Sequence, residues 1–210
     1  MKKNRALVLL VSSIFILSAV GCSSLTPAAS TTDAPVTIIA SEDYPSYSSV
    51  DALSERADTI VKGNVIQTRV EALNDLAADE GAANDPVSFD KIYTIYTVQV
   101  TDSYKGRYTA GDQIEVKQLG GQLGHTEIVN DDNVKLMPTK DYVLFLETYE
   151  DTPASLLNTV QSLYVIKPAP KSSQPSEQSA SDVIVSANPE NDLTLSLSEL
   201  QQIKDEQSKP

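Results

Sequence analysis

The chain is poor in the residues that most often build catalytic and metal sites. It has one histidine, one cysteine and no tryptophan among its 210 residues. A metal site of several imidazoles is therefore excluded, and a serine, histidine and acid triad would depend on His125 alone. A single cysteine also excludes disulfides within the chain, so an exported domain of this sequence must be stabilised by its hydrophobic core.

Positive charge is the next scarce property. Sixteen Lys and Arg residues stand against 29 Asp and Glu residues, and the formal net charge is −13. Binding to nucleic acid and electrostatic attachment to acidic lipid both depend on Lys and Arg that neutralise phosphates. We therefore expect no nucleic-acid partner, and attachment to a membrane would need another means.

The amino terminus supplies such a means. Its first five residues carry three positive side chains, and residues 6 to 20 are uncharged, which is typical of a secretory signal peptide over residues 1 to 21. A helix of that uncharged length spans only ~22 Å, whereas a membrane-spanning helix must cross ~30 Å. The alternative for the cysteine that follows is an incidental residue beside an ordinary cleavage site.

The residues Ala19, Val20, Gly21 and Cys22 resemble the lipobox of bacterial lipoproteins, although leucine is commoner than alanine at the first position. The resemblance implies cleavage between Gly21 and Cys22 and a diacylglyceryl group on the cysteine thiol. That covalent lipid would be the only cofactor-like group, and several buried acyl chains provide a firm anchor.

Residues 22 to 43 are dominated by Ser, Thr, Ala and Pro, apart from a short apolar run at 36 to 39. This composition predicts a flexible spacer. The sequence thus predicts an extracytoplasmic protein that is lipid-anchored to the cell membrane, on a Gram-positive surface or in a periplasm. Its expected partners are the membrane and an unknown envelope protein or wall ligand.

Hydrophobic periodicity and turn residues predict one β-rich domain over residues 44 to 205, with mobile segments at 74 to 88 and 168 to 181 and a disordered tail at 206 to 210. One face of the second predicted strand, with Tyr96, Val98 and Val100, is expected to look inward, and the opposite face, with Tyr93 and Ile95, to look outward. The predicted elements are a helix at 49 to 58 capped by Ser49, strands at 59 to 70, 91 to 101, 113 to 119, 141 to 147, 156 to 166 and 182 to 187, and a helix from Ser196 to about Asp205.

Three short sequence motifs occur in this order of elements and resemble those of known proteins. They are Asp58-Thr-Ile-Val-Lys-Gly63, Tyr104-Lys-Gly106 and Lys140-Asp-Tyr-Val-Leu-Phe-Leu146. Over roughly residues 44 to 166 the chain resembles a set of uncharacterised exported proteins of Gram-positive bacteria, and it is similar to netrin-like and metalloproteinase-inhibitor modules. The resemblance implies a five- or six-stranded OB-like barrel, mainly β, flanked by two short helices. The inhibitors use an unmodified amino-terminal cysteine held by disulfides, so a lipidated Cys22 would exclude their mechanism.

Residues 120 to 132 form the candidate site of an alternative, enzymatic or metal-dependent module. They contain a glycine cluster, His125, and the carboxylates of Glu127, Asp131 and Asp132, which are ligands that calcium accepts. The glycine spacing matches neither a Walker motif nor a dinucleotide fingerprint. We favour a surface turn for His125 and solvated loop charge for the acids, and hence a chain without catalytic residues or a metal.

Nine tyrosines without a tryptophan are one pattern of a glycan- or peptide-binding platform, particularly at Tyr44, Tyr47 and Tyr93. Alternation along strands favours half-buried positions for most of them, with each hydroxyl at the rim of the barrel. Tyr44 and Tyr47 flank Pro45 ahead of the first predicted helix and are the leading candidates for ligand binding. The sequence therefore favours a non-catalytic interaction domain.

Overall fold

The computed structural model describes residues 36–74, 91–168 and 182–209, all of which fall within one compact unit, Asp33–Pro210. The predicted signal peptide, Cys22 and nearly all of the predicted mobile segments at 74–88 and 168–181 lie outside these residues. In the described part of the chain, no helix is both long enough and apolar enough to cross a membrane.

Strands dominate the described residues, which confirms a mainly β fold with short helices. The helices are α1 (Val50–Arg56) and α2 (Leu197–Gln207). The strands are β1 (Val36–Ile39), β2 (Thr59–Leu73), β3 (Lys91–Lys105), β4 (Gln113–Leu119), β5 (Gly121–Leu123), β6 (Thr126–Val129), β7 (Asp141–Glu147), β8 (Ala154–Leu156), β9 (Leu163–Lys167) and β10 (Val183–Ser186).

Five strands form a closed ring of hydrogen-bonded neighbours in the order β2, β3, β4, β8 and β7. Strand β8 closes the ring because it pairs parallel with β4 and antiparallel with β7. Each of these two pairings spans only two residue pairs, so the ring is not a clean barrel. The number of strands in the ring agrees with the prediction of five or six, and β9 and β10 extend the sheet beyond β7.

The interior of the ring holds the main hydrophobic core. Tyr96, Val98 and Val100 contribute to it from β3, as predicted from the alternation of that strand. Leu136, from the loop before β7, is 1% exposed and belongs to the same cluster. Strand β7 is buried from Tyr142 to Leu146, as expected of a strand that is covered on both faces.

The opposite face of β3 is buried, contrary to the prediction from the sequence. Tyr93 and Ile95 were expected on the outward face, but they are buried with Leu119 in a second small cluster. A three-stranded sheet of β1, β6 and β5 supplies the cover, because Ile128 of β6 packs against this cluster. Burial on both faces of a strand cannot be distinguished by alternation alone.

Two predicted loops contribute to that small sheet. The segment at 120 to 132 contains the hairpin of β5 and β6, which turns at Gly124 with a positive φ of 60°, a conformation that glycine adopts without strain. Residues 36–39, assigned to the flexible spacer, form β1 and pair in parallel with β6. The prediction of a spacer through residue 43 is therefore wrong at these four residues, whose side chains remain exposed.

Both helices begin where their capping residues predicted. Ser49 Oγ accepts a hydrogen bond from the Ala52 amide at 3.1 Å, and Ser196 and Glu199 form a complete capping box. The helices bury Leu53 and Leu200 in a third cluster with Phe145. Helix α2 continues through Gln207, so the predicted tail at 206 to 210 begins too early. Side-chain hydrogen bonds four residues apart, such as Gln202 to Glu206, support this last turn.

The predicted strand at 156 to 166 is a strand only from Leu163 onward, where β9 begins. Its first residue, Leu156, ends β8, and a tight turn occupies the residues between them. The side-chain oxygen of Asn158 accepts hydrogen bonds from the amides of Val160 and Gln161, at 2.7 and 2.6 Å. An asparagine that bonds its own following backbone in this way starts a turn and interrupts a strand.

Candidate functional site

A cleft with a volume of about 770 Å³ lies between the segment before α1, the ends of β3 and β4, and the connection from β7 to β8. Four tyrosines line it: Tyr44, Tyr47, Tyr93 and Tyr149. We call it the tyrosine cleft.

One wall of the tyrosine cleft is the segment that carries Tyr44 and Tyr47, and two buried amides hold it in place. Gln161 accepts from the Tyr47 amide at 2.8 Å and donates to the Tyr47 carbonyl at 3.0 Å. Asn158 donates to the Pro45 carbonyl at 3.0 Å and to the Gln161 side chain at 3.1 Å. We call Asn158 and Gln161 the amide clamp, because they satisfy the backbone of an otherwise irregular segment.

The phenol hydroxyls of this wall are held in their neutral form. Tyr44 donates its hydroxyl to the Glu42 carboxylate. Burial, followed by that hydrogen bond and the negative charges of Glu42 and Asp132, raises the pKa of Tyr44 far above its usual value. Burial also raises the pKa of Tyr47. Both side chains therefore present an aromatic face and an uncharged hydroxyl at any physiological pH.

The facing wall joins a lysine to two aromatic rings. The Lys117 ammonium lies 5.4 Å from the ring centroid of Tyr93 and 5.1 Å from that of Tyr149. Distances below about 6 Å are those of cation–π contacts. Tyr93 is 4% exposed whereas Tyr149 is 41% exposed, so one ring is fixed in the fold and the other lies at the opening of the cleft.

The connection that carries Tyr149 is fastened at its start. The amide and the hydroxyl of Thr148 both donate to the Asp58 carboxylate, at 2.8 and 3.0 Å. Beside it, Arg56 forms an ion pair of 2.9 Å with Glu147. These contacts tie the end of β7 to the end of α1 and thereby fix the base of this part of the cleft.

Charge in the tyrosine cleft is mixed, with an excess of acid. The carboxylates that line it are Glu42, Glu147, Glu150 and Asp151, and the cations are Arg56, Lys91 and Lys117. The cleft thus shares the sign of the whole chain, whose net charge is −13.

Two predicted candidates, Tyr44 and Tyr47, lie together in this cleft, and His125 does not line it. His125 is exposed at the turn of the β5–β6 hairpin. Its backbone carbonyl accepts a hydrogen bond of 2.8 Å from the Val36 amide. This hydrogen bond stabilises the small sheet. Cys22 lies outside the described residues.

The candidate metal ligands lie on β6, the middle strand of the small sheet, and in the turn that follows it. Glu127 accepts a hydrogen bond of 3.3 Å from the Thr37 hydroxyl, while Asp131 and Asp132 are exposed in the turn that follows β6. Among the residues that the structure describes, no group of three or more His, Cys, Asp or Glu side chains is placed to hold a metal ion.

Sequence analysis missed Lys117 and Tyr149, and also the amide clamp. A signal for the clamp was present, because Asn158 and Gln161 are polar residues among the apolar residues of a predicted strand, and polar groups that become buried need a partner. For Lys117 the local pattern gave no such signal, since it occupies a polar position of an alternating strand.

Comparison of the chain with protein-family models, with curated proteins and with solved structures found no match. We therefore infer the function from the cleft and from the sequence.

Proposed function

We propose that the chain is a bacterial lipoprotein held on the extracytoplasmic face of a membrane by lipid on Cys22, and that its domain binds an envelope protein or wall ligand without catalysis. The tyrosine cleft is the observation that carries the binding part of this proposal. Its volume of about 770 Å³ falls in the range of small-ligand sites, roughly 300–1,000 Å³. Aromatic faces beside a few polar groups are the usual lining of such sites.

The amide clamp supports binding in a second way. A ligand site gains affinity when its walls are ordered before the ligand arrives. Gln161 and Asn158 are 4% and 5% exposed, and their hydrogen bonds fix the backbone of the Tyr44 to Tyr47 wall. Tyrosine side chains also have few rotatable bonds, so they provide contact area at a low cost in entropy.

The anchoring part of the proposal is supported by the first 22 residues. The charged start, the uncharged run and the Ala-Val-Gly-Cys ending place the only cysteine where lipidation requires it. Lipid is also the anchor that this composition needs, because a net charge of −13 is repelled by acidic membrane surfaces.

Membrane fractionation of cells that produce the wild type, Cys22→Ala and the control Ser24→Ala tests the anchor. We expect the wild type and Ser24→Ala in the membrane fraction and Cys22→Ala in the soluble fraction. Mass spectrometry of the wild type should find lipid on Cys22. An unmodified Cys22, or equal retention of Cys22→Ala, would contradict lipid anchoring.

Binding to isolated cell envelopes tests the cleft without interference from the anchor. In the Cys22→Ala background, Tyr149→Ala should weaken binding at least tenfold, which corresponds to about 1.4 kcal/mol. Leu123→Ala is the matched control, because Leu123 is 42% exposed and Tyr149 is 41% exposed, and Leu123 does not line the cleft. Equal losses in the two variants would argue against the cleft as the site.

A further inference from the structure

Tyr93 and Tyr149 both lie beside one cation, and we call this pair of rings the cage. Both ring centroids lie within 5.4 Å of one ammonium nitrogen, that of Lys117. The stem of Lys117 rises from β4, where it pairs with Ile95 of β3 and Ser155 of β8. The ammonium therefore reaches the rings from a fixed point of the ring of strands, and it is close enough to both rings for cation–π contact.

The charges around this cage also favour a positive ligand. Glu150 and Asp151 follow Tyr149 directly and line the same cleft. The Arg56 guanidinium is already paired with Glu147 at 2.9 Å, so its charge is balanced within the cleft wall. An acidic chain attracts cations over distance and raises their concentration near such an opening.

We propose that the tyrosine cleft binds an alkylammonium group between Tyr93 and Tyr149, and that Lys117 occupies this position until the ligand displaces it. The inference rests on the proposed function, because it names the chemistry of the ligand for the same cleft. An anionic ligand would be the opposite case, since Lys117 would then attract it and the neighbouring carboxylates would repel it.

The two cases differ in what loss of the Lys117 charge does. Lys117→Met keeps an unbranched apolar stem and removes the competing ammonium. A cationic ligand should then bind about five- to tenfold more tightly, because it no longer competes with a tethered cation. An anionic ligand would bind more weakly to the same variant.

Calorimetric titration of the full chain, purified from membranes in a neutral detergent, tests the proposal. The probes are choline, Nα-acetyl-lysine amide, acetate, and 3,3-dimethylbutan-1-ol, a neutral analogue of choline. We expect binding of at least one of the two cations, tighter binding to Lys117→Met, and little binding of the neutral analogue. The control Lys140→Met removes an exposed lysine outside the cleft and should change nothing.

The two cations separate the possible sources of the ligand group. Preference for choline indicates a quaternary ammonium, and preference for the acetylated lysine amide indicates a protein or peptide. In the Lys117→Met background, Tyr149→Leu should reduce the affinity for the preferred cation at least fivefold, because leucine offers no ring. Lys117→Gln replaces Lys117→Met if thermal unfolding shows that the latter does not fold.

Unchanged or weaker cation binding to Lys117→Met overturns the proposal, as does equal binding of the neutral analogue or selective binding of acetate. Absence of binding by both cations overturns it as well. If Tyr149→Ala nevertheless weakens envelope binding, the cleft remains the binding site and only the proposed ligand chemistry is overturned. Failure of the ligand chemistry is therefore distinguishable from failure of the proposed function.

Discussion

Tyrosine is used differently inside the ring of strands and in the tyrosine cleft. In the ring, Tyr96 and Tyr142 belong to the main core, and the Tyr142 hydroxyl accepts a hydrogen bond of 2.7 Å from the Met137 amide. In the cleft, the Tyr44 hydroxyl donates to a carboxylate and the Tyr149 ring faces an ammonium. Tyr142 thus satisfies a backbone group of the fold, while Tyr44 and Tyr149 contact charged side chains.

This difference separates stability from binding. The ring interior is built almost entirely from buried aliphatic residues, whose removal leaves cavities. The cleft is built from polar and aromatic side chains that are partly open to solvent. Changes in the interior should therefore lower the free energy of unfolding, and changes at the cleft opening should mainly alter affinity.

The largest effect is expected for Leu144→Ala in the interior. Leu144 is 0% exposed, and truncation of a buried leucine costs about 2–5 kcal/mol of unfolding free energy. Chemical denaturation measures this loss. Leu197→Ala is the control, since Leu197 is 41% exposed and should change stability by no more than about 0.5 kcal/mol. Similar losses of unfolding free energy in the two variants would show that the ring interior does not contribute more to stability than the surface.

An intermediate effect is expected for Gln161→Leu, which breaks the amide clamp. The Tyr47 amide and carbonyl would lose their partners, at a cost of about 1–3 kcal/mol for each group that stays buried. Hydrogen exchange at the Tyr47 amide should accelerate together with the loss of stability. Gln201→Leu, at an exposed position of α2, serves as the control. Unchanged exchange at Tyr47 would show that the clamp does not hold the cleft wall.

The smallest effect concerns a surface ion pair on the outside of the ring. Arg69 binds both oxygens of Glu115, and these hydrogen bonds hold the pKa of Glu115 below its usual value of 4.5. A lowered pKa means that the pair stabilises the fold above about pH 4.5 and that this contribution is lost as the pH falls through the lowered value. Because the pair is partly exposed, we expect less than about 1 kcal/mol.

Glu115→Gln measures that contribution. The stability difference between the wild type and this variant should be constant from pH 5 to 7 and should shrink as the pH falls below about 4.5. A difference that grows on acidification would contradict the direction of the pKa shift.

Local signals in the sequence predicted local structure well. Ser49 and Ser196 located both helix starts, a run rich in β-branched residues located β2, and alternation located β3 and β4. Pairings between distant segments were not predictable: β1 pairs with β6 across about ninety residues, and the small sheet they form buries Tyr93 and Ile95. A pattern within one segment carries no information about such a partner.

The same limit applies to the cleft. Tyr44 and Tyr47 were identified because they are large aromatic residues outside any periodic segment. Lys117 and Tyr149 meet only because β8 closes the ring between β4 and β7. Their contact is a property of the closed ring and not of either segment alone.

Hydrogen exchange of the full chain, with and without isolated cell envelopes, tests whether the tyrosine cleft is the functional surface. We expect slower exchange on binding at residues 44 to 47 and 148 to 152, and no change in the β5–β6 hairpin at 121 to 129. Protection of that hairpin without protection of the cleft would show that the cleft is not the binding surface and would favour a site built on His125, Glu127, Asp131 and Asp132.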